Sequence, residues 1–196
     1  MRYSNNNIEN LYDWLFEPTF ISSTQELRKK WSIVLLKELF PDFQMSSKKL
    51  DANYSGEYDF WLDWIDEQNK YHGIRIEVKT SRAVDFKKPD EPLYIKALAS
   101  DSKRPFDMNF QQIKIKCADV FLWIAVWRDK IRYWVLNSKE VKTNKYFSKG
   151  QHRGNTGEGQ LHLNQDNISE FDQYELKSTE LKQAVINAYK RLKKIK

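Results

Sequence analysis

Residues 57–80 read EYDFWLDWIDEQNKYHGIRIEVKT, and the fold turns on how this stretch pairs with itself. In 57–65 the apolar Tyr58, Phe60, Leu62 and Trp64 alternate with Asp59 and Asp63, the period-2 pattern of a strand with one face in a core. The polar residues around Asn69 and Gly73 mark a turn. Ile74, Ile76 and Val78 then alternate with Arg75, Glu77 and Lys79. The expectation is an antiparallel hairpin whose polar face carries Asp59, Asp63, Glu77 and Lys79.

Upstream, residues 24–40 place Leu27, Trp31, Val34, Leu35 and Leu39 on one helical face, with Thr24 as a cap and Pro41 as a stop. Downstream, residues 82–104 hold Pro89, Pro92 and many charges, and read as an insertion, part loop and part short strand around Leu93–Leu98. A second helix is expected over Met108–Lys116. DVFLWIAVW (119–127) is nearly all apolar, as suits a strand buried on both faces, and IRYWVL (131–136) returns after a turn. Residues 145–160 read as a basic Gly-rich loop, and 179–192 as an amphipathic helix. The sum is an α/β or α+β chain, one domain over 1–196, with a mixed central sheet flanked by helices.

Composition narrows the function. The chain has 196 residues, 40% hydrophobic and 14% aromatic, with seven Trp, which is enough to build a core. No apolar run reaches the ~18 residues of a membrane span, and MRYSNNNIEN lacks a signal-peptide core. The single Cys117 offers no internal disulfide, so a reducing, cytoplasmic setting is expected. Residues 1–100 carry 14 Lys/Arg against 16 Asp/Glu, whereas 101–196 carry 19 against 11. A basic C-terminal half suits a polyanion, most simply nucleic acid. Three His (His72, His152, His162) without Cys partners argue against zinc. GNTGEG lacks the Lys-Ser/Thr ending of a phosphate-binding loop, and no G-x-S-x-G elbow occurs.

The chemistry concentrates on Asp59, Glu77 and Lys79. Glu77 and Lys79 leave the same strand face roughly 7 Å apart. Hairpin pairing brings Asp59 beside Glu77. Two adjacent carboxylates repel, and a hard divalent cation such as Mg²⁺ relieves that repulsion. The lysine can orient a water or stabilise developing phosphate charge. Asp63 is the rival first carboxylate, but Asp59 stands nearer the start of its strand.

Asp59, 17 intervening residues and Glu77-x-Lys79 on an alternating strand resemble the signature of the PD-(D/E)xK nucleases, over roughly residues 24–127. Tyr58 stands where that motif has its proline. The resemblance implies a restriction-endonuclease-like core and Mg²⁺-dependent phosphodiester hydrolysis. Asp59, Glu77 and the Val78 carbonyl would be metal ligands, and Lys79 would contact the attacking water. Glu38, a carboxylate on an apolar helix face, is a further candidate ligand, since burying it alone is costly. Gln111, Gln112 and Lys114 on the expected second helix are candidate supporting residues. Lys114 and Lys116 either contact phosphate or merely solvate that helix.

Lys145, Lys149, His152 and Arg153 in the basic loop are candidate DNA contacts, with glycines permitting close backbone approach. The chain's size leaves little room for a separate recognition domain. Double-stranded DNA would then be cut by a homodimer, or with a larger DNA-recognition subunit, as in heterodimeric type IIS restriction enzymes whose small subunits this chain resembles in size. Two alternatives remain: a repair or junction nuclease, and a non-enzymatic basic module in which Glu77 and Lys79 form a surface ion pair.

Overall fold

The computed structural model describes residues 42–88, 90–150 and 157–195. The helix expected over 24–40, Glu38 with it, and the loop residues His152 and Arg153 lie outside the described residues. The strands in chain order are β1 (Gln44–Met45), β2 (Phe60–Ile65), β3 (Tyr71–Arg82), β4 (Val84–Asp85), β5 (Phe106–Ile113), β6 (Val120–Val126), β7 (Ile131–Asn137), β8 (Phe147–Lys149), β9 (Gly159–Asn164) and β10 (Glu175–Leu176). The α-helices are α1 (Leu93–Lys96), α2 (Ser138–Thr143) and α3 (Leu181–Lys193). The class is mixed α+β, with a six-stranded sheet ordered β1-β2-β3-β6-β7-β10 and a four-stranded sheet ordered β4-β5-β9-β8.

The β2–β3 hairpin forms as its alternation dictates, with Phe60 opposite Ile76 and Leu62 opposite Ile74. β6 lies parallel to β3, Glu77 beside Phe121 and Lys79 beside Trp123. All seven β6 residues are buried, as a strand covered on both faces requires. One face of the large sheet packs Phe60, Leu62, Ile76, Val78, Leu122 and Ile124 against Leu181, Val185 and Tyr189 of α3. The other packs Trp61, Phe121, Trp123 and Ala125 against Met108, Phe110, Leu161 and Leu163 of the small sheet. Each large apolar side chain fully buried here stabilises the fold by about 1.5–3 kcal/mol. Glu77 and Lys79, being odd-numbered on β3, belong to the face turned toward the small sheet. Tyr58 precedes β2 and joins this second cluster, leaving the side expected of it.

Three expectations are corrected. Met108–Lys116 is no helix: Phe106–Ile113 is strand β5, so the connection between the parallel β3 and β6 is carried partly by sheet. The cause is a bulge between Phe110 and Ile113, where Gln111 and Gln112 together oppose Gln160. The extra residue stretches one apolar interval from two to three, which imitates helical spacing. Residues 93–96 form a helical turn where a short strand was expected. Its amides at Ile95 and Lys96 point back to the Pro92 carbonyl, and proline favours a helix start. The 145–160 segment is not all loop either, because Phe147–Lys149 and Gly159 onward are strands. A Cβ on Gly159 would lie 2.3 Å from the Phe147 ring, so this glycine serves a close strand–ring contact.

Candidate active site

Strand pairing assembles the site. The β2–β3 register sets Asp59 across from Glu77, and the Val78 amide donates to Asp59 Oδ2 at 2.8 Å. Glu77 Oε1 lies 2.5 Å from Lys79 Nζ. The Asp59 carboxylate lies close enough for its charge to act on the Glu77 carboxyl. Lys79 Nζ also donates to the main-chain carbonyl of Gln112 at 2.9 Å. The Lys79 side chain is only 4% exposed and that of Glu77 12%.

The Gln112 carbonyl reaches Lys79 because of the β5 bulge. Gln112 takes a left-handed backbone with φ 56°, uncommon for a residue with a side chain. The expectation assigned Gln112 a helical side-chain role, but here its main chain contacts the lysine. Gln111 is exposed on the neighbouring position. Lys114 reaches across the mouth of the site, 3.4 Å from Glu57 and 4.0 Å from Glu158.

These residues wall an open, polar cleft of about 240 Å³, lined by Glu57, Glu77, Lys79, Gln112, Lys114 and Glu158 together with Gly56 and Cys117. Glu57 and Glu158 were missed by sequence reasoning. Glu158 sits in a stretch read only for its glycines and cations, and Glu57 adjoins the hairpin with no pattern of its own. Burial pushes the Glu77 carboxyl up to about 7, with the neighbouring Asp59 charge adding and Lys79 opposing. Burial likewise drives the Cys117 thiol up to about 12, with the nearby Glu77 charge adding to it. That thiol is not a nucleophile at neutral pH.

Other expected residues lie apart from the cleft. Asp63, the rival carboxylate, accepts from Gln44, Trp61 and Tyr71 near the far end of the hairpin. Lys145 Nζ is 2.9 Å from Glu170 and lies over the Tyr146 ring. Lys149 is exposed at the end of β8. The next residue, Gly150, donates its amide to the Glu158 carbonyl.

The donor set bears on which metal could sit here. Among the described residues no three His, Cys, Asp or Glu side chains converge into a ready ligand group. Magnesium does not need such a group. It keeps several waters and is held by one or two carboxylates plus substrate phosphate. Asp59 and Glu77, set opposite each other by the β2–β3 register, fit that demand. Zinc, which wants four nitrogen or sulfur ligands, is not served. Comparison with family models, with curated proteins and with solved structures finds no match to the chain.

Proposed function

We propose that the chain is a Mg²⁺-dependent DNA endonuclease with a restriction-endonuclease-like core. We take it to be a restriction enzyme, or the catalytic subunit of one, working as a homodimer or beside a larger recognition subunit. The observation that supports this reading is the pairing of Glu77 with a buried, anchored Lys79 in the wall of one cleft, with Asp59 tied to the Val78 amide between them. Asp59 and Glu77, with the Val78 carbonyl, would hold the metal. Bound there, magnesium supplies Lewis-acid polarisation of the scissile phosphate and acidifies a coordinated water.

The protein's own contribution lies in positioning. An ammonium has three donors. Lys79 directs one to Glu77 and one to the Gln112 carbonyl, leaving the third for an attacking water or a phosphate oxygen. Fixing that cation beforehand means no reorganisation when charge develops on the phosphate. Glu77, near 7, gives up its proton readily when a cation arrives. Burial weighs against the surface ion-pair alternative. An exposed pair is worth ~0–1 kcal/mol, but a lysine 4% exposed carries a desolvation cost that a solvent-facing strand would not select.

Digestion of supercoiled plasmid with and without Mg²⁺, followed by sequencing of the ends, tests the proposal. The expected result is Mg²⁺-dependent cutting that disappears in Asp59→Asn and Glu77→Gln. Cutting of branched DNA without sequence preference would identify a repair or junction nuclease. Absence of any cleavage, alone or with a partner subunit, would reject the enzyme.

A further inference from the structure

The start of β6, the end of β7 and the C-terminal half of α3 meet at one corner of the large sheet, beside the cleft. The Asp119 amide donates to the Arg75 carbonyl at 3.0 Å, which sets this corner two residues along β3 from Glu77. The Ser138 amide donates to the Asp119 carbonyl at 2.9 Å, fixing the first residue of α2 against the start of β6. Asn137, 3% exposed, donates its side-chain amide to the Ala188 carbonyl of α3 at 3.2 Å. The Cys117 amide closes a turn on the Lys114 carbonyl, both cleft-lining residues, and Lys116 stands on that turn. By the β3–β6–β7 register, two strand spacings across and two residues along separate Ser138 from Glu77, roughly 12 Å.

Charge in this corner is unbalanced. Asp119 is met by Arg75 and Lys193, and Glu140 by Arg191. Lys116, Lys139, Lys142 and Lys194 are exposed, and none of them pairs with a carboxylate among the described residues. Lys139 and Lys142, three apart on α2, share a face turned away from the buried Val141. Helix electrostatics does not account for all four. Cations are favoured at a helix C-terminus, which covers Lys142 and Lys194. Lys139 stands in the first turn of α2, where a cation is disfavoured, and Lys116 lies on no helix.

We propose that this corner carries the phosphate backbone of the duplex DNA whose scissile bond lies in the cleft, with Lys116, Lys139, Lys142 and Lys194 as phosphate contacts. The inference rests on the nuclease reading and gives that site a binding track. Cations without carboxylate partners, held on elements tied to the sheet, suit a polyanion, because each phosphate they neutralise releases a condensed counterion. Such contacts position the duplex and carry no base information. The roughly 12 Å between cleft and α2 is about three to four base-pair steps, so one strand reaches both. An anionic membrane surface would need apolar anchors among the cations. The exposed large apolar side chains, Met45, Ile65, Tyr71, Phe86 and Ile95, all lie on other segments. Lys145, expected to contact DNA, instead spends its charge on Glu170.

The test is anisotropy titration of a 30-base-pair DNA duplex with the full chain in EDTA, across a salt series. Lys139→Ala/Lys142→Ala keeps good helix formers, and its folding is checked by circular dichroism. It should bind about tenfold more weakly and lower the salt slope by about 2. Lys116→Ala/Lys194→Asn should do the same, since asparagine tolerates the left-handed φ of 57° at that position. Lys87→Ala/Lys88→Ala removes equal charge from exposed lysines past the far end of β3, and should keep affinity and slope. If the α2 double variant does not fold, Lys142→Ala alone should lower the slope by about 1. The proposal is overturned if all three double variants weaken binding alike, which would reflect net charge only, or if the corner variants bind as wild type does. It is also overturned if RNA duplex binds more tightly, or if phosphatidylserine vesicles compete as well as DNA. Cleavage kinetics in Mg²⁺ separate the two readings. The corner variants should raise KM several-fold and leave kcat unchanged. Cleavage with an unchanged KM rejects only the track. Corner-sensitive binding without cleavage rejects the nuclease and leaves the corner as a duplex-binding surface.

Discussion

Two charge clusters sit two residues apart on the same face of β3, and they are built in opposite ways. At the first, Asp119 is surrounded by cations: Arg75 Nε at 3.0 Å, Arg75 Nη2 at 3.3 Å and Lys193 Nζ at 3.2 Å, with the Arg75 amide at 3.2 Å. Burial works to raise the Asp119 carboxyl, but Arg75 and Lys193 outweigh it and hold the group below the ordinary range. At the second, Glu77 pairs with Lys79 next to the Asp59 carboxylate, and Glu77 is pushed up to about 7. One carboxylate with two cations is a finished structural tie between β3, the start of β6 and α3. Two carboxylates with one cation are short of positive charge, and that shortage is what a divalent ion would fill.

The comparison breaks most sharply on activity. Glu77→Gln and Asp59→Asn should lower the rate of Mg²⁺-dependent cleavage by about a thousandfold or more, some 4 kcal/mol of transition-state stabilisation. Asp119→Asn should leave cleavage per folded molecule close to wild type. Steady-state rates normalised to folded protein decide this. Equal losses at both sites would mean that the Glu77 cluster is as structural as the Asp119 one.

Stability should rank the sites the other way. Asp119→Asn leaves the partly exposed Arg75 without its buried partner and should cost about 1–2 kcal/mol in urea unfolding. Glu77→Gln removes a carboxylate that burial and Asp59 already penalise, so metal-free stability at pH 8 should hold or rise. A Glu77→Gln protein that unfolds more easily than Asp119→Asn would reverse the assignment.

How much of this contrast was visible beforehand depends on the residue. The hairpin and the juxtaposition of Asp59 with Glu77 follow from period-2 alternation, and the buried β6 from a continuous apolar run, both of which one sequence displays directly. β5 was hidden, because the Gln111–Gln112 bulge shifts its phase and mimics a helix. The Arg75–Asp119 tie spans 44 residues and leaves no local trace, so Arg75 read as an ordinary polar-face residue. Lys79's second anchor is a main-chain carbonyl, which carries no side-chain signature at all.

The pH dependence separates the clusters with opposite signs. Glu77's folded pKa lies above its ordinary 4.5, so the stability it contributes is complete below pH 4.5 and disappears as pH rises through about 7. Metal-free wild type should therefore lose about 2–3 kcal/mol relative to Glu77→Gln between those limits, and Mg²⁺ should restore most of it. Asp119's folded pKa is depressed. Its contribution is present above the ordinary carboxylate range and is lost only as pH falls through the lower, folded value. Urea midpoints at pH 4.5, 6 and 8, with and without Mg²⁺, measure both. A metal-free difference between wild type and Glu77→Gln that does not change with pH would mean that Glu77 is not the strained group.

The smallest effect falls on the backbone that joins the two sheets. Gln112 holds φ at 56°, a conformation costing an L-residue about 1 kcal/mol that glycine adopts freely. Gln112→Gly should therefore leave stability unchanged or raise it by up to about 1 kcal/mol. The carbonyl that anchors Lys79 would then sit on a looser chain, so cleavage should slow several-fold through kcat while KM stays put. Gain in one assay and loss in the other distinguishes a bulge kept for catalysis from one kept for folding. If Gln112→Gly lowers stability and leaves kcat alone, the bulge belongs with Asp119 among the structural devices, and Lys79 is held by Glu77 alone.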